Sequence, residues 1–472
     1  MRNSLDIPKI PAITEMVNLI KKGFVKPTDL VKEHIERIKN TEKNLNAFIT
    51  ILEKEAFERA KQIETEIKKG NLNGKLLGIP FTVKDLYLVE DTITTFASQY
   101  MKDFVAPFTS TVVQKALDEG AILIGKTNCD PWGFGGSGEN SGFGPSRNPY
   151  DLERVPGGSS SGSAASLAAG IGFFSLGTDT GGSVRLPANF CGLYGYKPTY
   201  GRNSRFGIGV MASSFDTPGF FARYVEDIEL LEKIFEGVDE NDQTTDLIPE
   251  IEKKKKLKFG IPVEYFEENF DKDTKEAIDQ IIQSLKSSGY SVENVSIPSS
   301  KFGLSVYYIL VPSEISSNRA RYDGVRYGPF VSEEYEENLV EGRSKYFEDE
   351  VKRRIMIGTY ALSAGYGDEL YLKATKVRNK IKQEFDEAFK KVDILLAPTS
   401  PSKAFKLGEK INDPISMYLT DLYTVNANIT GIPAINIPLG IKGGLPIGMQ
   451  LMAQRWNDEY LFQASRVIRE LS

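Results

Sequence analysis

Between residues 12 and 69 the apolar positions recur every three or four residues, which predicts helical segments. "PTDLVKEHIERI" puts Leu30, Ile35 and Ile38 on one side, with Thr28 as its N-cap and Asp29 in the first turn. "ILEKEAFERAKQIETEIKKG" predicts a second helix, stopped at Gly70. The period then shortens. "LLGIPFTVKDL" is short, apolar and bounded by Gly and Pro, which predicts a buried strand. "STVVQKALDEG" follows as helix and "AILIGKTN" as strand, a β-α-β rhythm. "SGSAASLAAG" predicts a helix of small residues able to pack closely on a sheet, and "FFSLGTDTGG" a strand running into a glycine turn. Past residue 256, "LKFGIP", "YSVENVSIP" and "DILLAPTSP" are further strands, with helical patterns at 343–362 and 368–391. "GIPAINIPLG" and "LPIGMQLMA" form a closing pair of strands, and "NDEYLFQASRVIREL" a terminal helix. The class is α/β with a mixed sheet.

No fixed-period repeat or low-complexity linker divides the 472 residues. The charged stretch at 236–258 reads as a solvated surface loop. A hydrophobic fraction of 40% and a charged fraction of 26% fit a globular chain with a large core. Lys plus Arg number 58 and Asp plus Glu 64, and the net charge of −6 argues against a dominant nucleic-acid surface. Two cysteines, Cys129 and Cys191, are too few for a disulfide framework or a zinc site, and both read as small buried residues. "MRNSLDIPKIPAI" lacks an apolar signal-like core and no run reaches the length of a membrane span. The expected location is cytoplasmic, with no membrane contact and no metal on the chain.

The segment "SLGTDTGGSVRLPANFCG" carries the first chemical signal. Glycines after an apolar strand let the backbone turn tightly and leave N–H groups uncovered. Ser183 is presented there as a nucleophile is presented, and a hydroxyl needs a base. The chain has one histidine, His34, inside the first amphipathic helix, where it reads as a solvated or half-buried residue with no catalytic role. The remaining candidates for the base are a lysine, a carboxylate or a tyrosine. The Gly- and Ser-rich stretch 133–163 is not a phosphate loop: Gly157 and Gly162 have the Walker separation, but Ser163 stands where lysine is required.

Three features occur in order: "VKD" with Lys84, "GGSSSGS" with Ser159 and "TDTGGSVR" with Ser183. Together they resemble the amidase signature family of amide hydrolases. The resemblance implies an amidase-signature fold, with a central mixed β-sheet flanked by helices on both sides and a helical N-terminal segment. It implies one domain over 1–472: a helical part at 1–70, a core with the catalytic residues at 71–225, and a second part at 226–472 completing the sheet and the substrate pocket. It implies a Ser183 nucleophile, a Ser159 held by a cis peptide bond and relaying a proton, and Lys84 as base. Lys84 would have to be neutral, although a free lysine titrates near about 10.4. Burial in its strand lowers that value. The backbone N–H groups of Thr180, Gly181, Gly182 and Ser183 would receive the oxyanion, where one lost donor costs about 2.7–4 kcal/mol of barrier.

Longer segments, among them "CGLYGYKPTYGRNSRFG", "SSNRARYDGVRYG" and "VNANITGIPAINIPLG", are similar to the A subunits of aspartyl/glutamyl-tRNA amidotransferases within that family. That similarity implies a subunit that splits glutamine to glutamate and ammonia. Tyr307, Arg354 and Asp421 would hold the substrate, Arg354 gripping the α-carboxylate and Asp421 the α-ammonium. It implies B and C subunits as partners, with mischarged tRNA contacted mainly through B, and no cofactor on this chain, ATP and magnesium belonging to the partner. "NCDPWGFGGSGENSG" and "GIGVMASSFDTPGFF" depart from the commoner forms and leave a stand-alone amidase acting on small or aryl amides, or a paralogue, as an alternative. A catalytically silent scaffold is the alternative of another class.

Overall fold

The apolar runs pair into one eleven-stranded mixed sheet in the computed structural model, which describes residues 4–267 and 270–471. The first three residues of the N-terminal segment read above lie outside them. The strands are β1 (Phe48–Ile51), β2 (Pro80–Lys84), β3 (Ile122–Thr127), β4 (Phe174–Asp179), β5 (Tyr194–Lys197), β6 (Thr217–Ala222), β7 (Phe259–Pro262), β8 (Val292–Val295), β9 (Ile394–Pro398), β10 (Ala434–Lys442) and β11 (Leu445–Ala453). Their spatial order is β1-β3-β2-β4-β6-β5-β10-β11-β9-β7-β8. β2 runs parallel to β3 and β4 and β7 parallel to β8 and β9, while the middle of the sheet is antiparallel.

Every residue of β2, β3 and β4 is buried, as expected of parallel strands covered on both faces. Helices supply that cover. The helix Ser161–Ala168 is buried along its whole length, and its Ser, Gly and Ala residues let it lie close to the sheet. The Arg185–Cys191 helix, also wholly buried, carries the turn bearing Ser183 onto the β10–β11 pair.

Several expectations are corrected. The helical stretch 12–69 contains the edge strand β1, which pairs antiparallel with β3. Thr28 does not cap its helix: the cap is Lys26, Pro27 takes the first position, and Thr28 donates from N and Oγ1 to Glu64. The pattern at 343–362 is two helices, Tyr335–Tyr346 and Asp349–Leu362. They break at the extended Phe347 and Glu348, where the Glu348 carboxylate accepts from Ser98 Oγ and Gln99 N. A π-helical turn, Asp368–Leu372, precedes the helix Lys373–Phe389. His34 is neither solvated nor half-buried. Its Nδ1 accepts from Gly172 N at 3.1 Å and its ring meets Phe173 edge-on. Burial, with Arg223 and Arg37 nearby, pushes its pKa down to about 3 and holds it neutral. Part of the 236–258 stretch is anchored: Asp242 is buried against Arg205, and Asp239 accepts from Thr111 and Ser204.

Candidate active site

Lys84 ends β2 with no exposed surface. Its Nζ lies 2.7 Å from Ser159 Oγ and 2.9 Å from Thr178 Oγ1, the latter on the neighbouring strand β4. Asp85 does not pair with it, being bound instead to Lys126 at 2.8 Å. Burial lowers the Lys84 pKa to about 8, against the opposing pull of Cys129, Asp130, Asp216 and Asp179. An appreciable fraction of the amine is therefore neutral near physiological pH and able to take a proton from a hydroxyl. Ser159 follows a cis peptide bond with Gly158, as the resemblance implied.

The turn after β4 is organised by Asp179. Its carboxylate accepts from Gly182 N, Val184 N and Arg185 N, and Arg185 grips it in bidentate fashion through Nε and Nη2. Burial works against the ionised form, but Arg185, Lys197 and Asn428 outweigh it and bring Asp179 down to about 2. The permanently charged carboxylate fixes the loop that presents Ser183. Ser160 N donates to Ser183 O at 3.2 Å, and Ser160 Oγ and Thr178 exchange hydrogen bonds, so the Ser159 loop and the turn bearing Ser183 are stitched together. Ser183 keeps 9% of its surface accessible, against 1% for Ser159.

The glycine pair before Ser183 answers to close contacts. A Cβ on Gly181 would come 2.6 Å from the Tyr307 hydroxyl, and one on Gly182, at φ +131°, would come 2.3 Å from Thr424 Oγ1. Thr424 Oγ1 donates to Gly181 O and pins the turn from the other side. Of the four backbone groups expected to face an oxyanion, Gly182 N–H is already engaged by Asp179, a correction to that set. Those of Thr180, Gly181 and Ser183 have no acceptor among the described residues. Thr180 is further held by its hydroxyl, which donates to Asp216 at 2.8 Å.

Tyr307, Arg354 and Asp421 gather on the other flank. Tyr307 is buried over Gly181, and burial raises its phenol pKa, so it stays protonated. Arg354 is buried with its Nε bound to Glu350 at 2.8 Å and lies over the rings of Tyr308, Tyr418 and Phe134. Burial opposes its charge, but Glu350 more than compensates and its pKa stays well above the ordinary arginine value. Asp421, half-buried, accepts from Tyr308 OH at 2.9 Å. Burial raises its pKa to about 7, with Arg354 and Tyr308 lowering it. Tyr308 thus carries a cation on its face and a carboxylate on its hydroxyl, which suits a ligand bearing both charges. Sequence reasoning missed Thr178, Tyr308 and Glu350. Thr178 sits inside the quoted "SLGTDTGG", and Tyr308 beside Tyr307 in "SVYYIL". Glu350, four residues before Arg354 on one helix, was detectable from i,i+4 charge spacing.

With this geometry in view, comparison with known proteins gives a consistent answer. The family described as Amidase matches residues 29–462, and the chain belongs to it. The chain is 45% identical over 471 residues to the A subunit of glutamyl-tRNA(Gln) amidotransferase from Sulfurihydrogenibium sp., covering 98% of this chain and 97% of that one. It is 45% identical to the subunit of the same name from Carboxydothermus hydrogenoformans, over 97% of this chain and 96% of the relative. The crystal structure of the A subunit of glutamyl-tRNA(Gln) amidotransferase from Thermotoga maritima superposes with a TM-score of 0.80 at 38% identity, covering 99% of this chain and 96% of that one.

Proposed function

We propose that this chain is the glutamine-hydrolysing subunit of a cytoplasmic tRNA-dependent amidotransferase. Ser183 Oγ attacks the side-chain amide carbon of glutamine, Ser159 takes its proton, and Lys84 takes one from Ser159. The oxyanion forms toward the N–H groups of Thr180, Gly181 and Ser183. The C–N bond then breaks, the proton returns through Ser159 to the leaving nitrogen, and ammonia departs. A glutamyl ester remains on Ser183, and water, activated by the same two side chains, releases glutamate.

The ammonia passes to a B subunit, which activates mischarged Glu-tRNA(Gln) or Asp-tRNA(Asn) with ATP and magnesium, while a C subunit joins the two. The net charge of −6 fits a chain that leaves most tRNA contact to its partner. The observation carrying the substrate is Tyr308, with Arg354 at 5.4 Å over its ring and Asp421 on its hydroxyl, a pair matched to the carboxylate and ammonium of a free amino acid.

Ammonia release from glutamine and from simple aliphatic and aryl amides tests the proposal, measured for the chain alone and with B, C and mischarged tRNA. The expected result is hydrolysis of glutamine in preference to the simple amides. Hydrolysis of aryl or small amides with glutamine untouched would assign a stand-alone amidase, and no hydrolysis under any condition would assign a silent scaffold.

A further inference from the structure

The reaction scheme gives no task to Glu350 or Tyr418, yet both close on Arg354. Glu350 is buried one turn before Arg354 on the helix Asp349–Leu362, and its Oε1 accepts from Arg354 Nε at 2.8 Å. The same oxygen accepts from the Tyr418 hydroxyl at 3.1 Å, and the other pairs with Arg353. Tyr418 comes from a different part of the chain, the short helix Pro414–Tyr418. Asp413 caps that helix by accepting from Ser416 N, and Pro414 takes its first position. The Tyr418 ring stacks on Tyr308, with centroids 4.0 Å apart and planes at 22°. It also lies 5.6 Å from the Arg354 guanidinium carbon. The turn Leu419–Asp421 follows directly and places Asp421 on the Tyr308 hydroxyl. One short segment thus supplies both a cover for Arg354 and the carboxylate assigned to the substrate ammonium.

A guanidinium presents its donors in a rigid planar fork, so fixing one edge aims the other. Here Glu350 holds Nε, and the rings of Tyr308, Tyr418 and Phe134 flank the group. Nη1 and Nη2 have no acceptor among the described residues and are not sealed off by burial, which leaves them to a ligand. Arg353 and Arg354 share the single Glu350 carboxylate, so a net positive charge remains to attract an anion. An arginine ordered before the ligand arrives loses no side-chain freedom when it binds. Burial raises the Tyr418 phenol pKa, so its hydroxyl stays a donor to Glu350.

We infer that Glu350 and Tyr418 are positioning residues for substrate selection: they clamp Arg354 so that its Nη edge meets the α-carboxylate, and the site thereby chooses an amide that carries this anion. The inference rests on glutamine being the substrate. A clamp of this kind acts on ligands with the carboxylate and leaves the chemistry at Ser183 alone. A merely structural tie between the two helices would, when cut, weaken every ligand and the reactivity of Ser183 together.

Protection of Ser183 from a small uncharged fluorophosphonate, read by peptide mass spectrometry, reports occupancy without turnover. The ligands are glutamine, 4-carbamoylbutanoate, which keeps the carboxylate and lacks the amine, and 4-aminobutanamide, which keeps the amine and lacks the carboxylate. In Glu350→Ala and Tyr418→Leu, Ser183 without ligand should label at the wild-type rate. The half-protecting concentrations of glutamine and 4-carbamoylbutanoate should rise at least about fivefold, and that of 4-aminobutanamide should change by less than about twofold. Tyr418→Phe keeps the ring stack and loses the hydrogen bond, so it should fall between wild type and Tyr418→Leu. It decides the matter if Glu350→Ala does not fold. Unchanged protection by glutamine in the variants, or an equal rise for 4-aminobutanamide, would overturn the inference. Wild-type Ser183 that labels but is not protected by glutamine would instead remove the glutamine reading, and the inference with it.

Discussion

Replacing Lys84 with methionine should abolish hydrolysis and at the same time relieve a stability penalty that depends on pH. Lys84 is fully buried and titrates at about 8 in the folded chain, chiefly because burial disfavours the ammonium. In the unfolded chain a lysine titrates near about 10.4. The unfolded state therefore holds the proton more tightly, and between those values stability rises with pH. The lower value in the folded chain makes the charged lysine destabilising by about 3 kcal/mol near pH 7, falling to about 1 kcal/mol near pH 9.5. Methionine has similar length and no charge. Its loss of the hydrogen bonds to Ser159 and Thr178 adds a term that does not vary with pH. The informative quantity is thus the change in the stability difference, not its value at one pH. Urea unfolding of both proteins near pH 7 and pH 9.5 should show the variant's relative stability decreasing by about 2 kcal/mol at the higher pH. A difference that stays constant across that interval would refute a depressed Lys84 and, with it, the neutral-amine base.

Two further perturbations address the parts around the base. Thr178→Val removes the second acceptor of Lys84 Nζ, leaving a buried donor unpaired at about 1–3 kcal/mol, so kcat should fall roughly 5- to 160-fold with KM unchanged. Thr178→Ser should restore the rate, and an unchanged kcat in Thr178→Val would remove this residue from the base's support. Asp421 titrates at about 7, raised by burial, so its ionised form is lost as pH falls through that value. KM for glutamine should therefore climb below about pH 7 in the wild type and be high but flat with pH in Asp421→Asn. A parallel pH response in both would separate Asp421 from the substrate ammonium.

What the sequence revealed, and what it withheld, follows from the range of the interactions. Local patterns sufficed for β2, β3, β4 and the β10–β11 pair, because each is a short apolar run bounded by Gly or Pro. The meeting of Lys84 and Ser159 at 2.7 Å joins two residues that each lie in a dense motif, as Ser183 also does. Thr178 was not legible, since its approach to Lys84 depends on the parallel pairing that sets Val83 opposite Leu176. His34 was misjudged because its helix neighbours look amphipathic, whereas the packing that buries it comes from Gly172 and Phe173, far along the chain. Gly182 was assigned to the oxyanion set from its place beside Ser183, but an Asp three residues earlier takes its N–H, a turn interaction that competes with any ligand. Glu348 broke a continuous helical pattern by reaching Ser98 and Gln99, residues some 250 positions away.

Activation of Ser183 by Lys84 through Ser159 is open to a direct chemical check, peptide mass spectrometry after treatment with a fluorophosphonate. A single adduct is expected on the peptide carrying Ser183, formed in the wild type and absent from Lys84→Met. An adduct on another residue with Ser183 unmodified, or labelling of Lys84→Met at the wild-type rate, would contradict it.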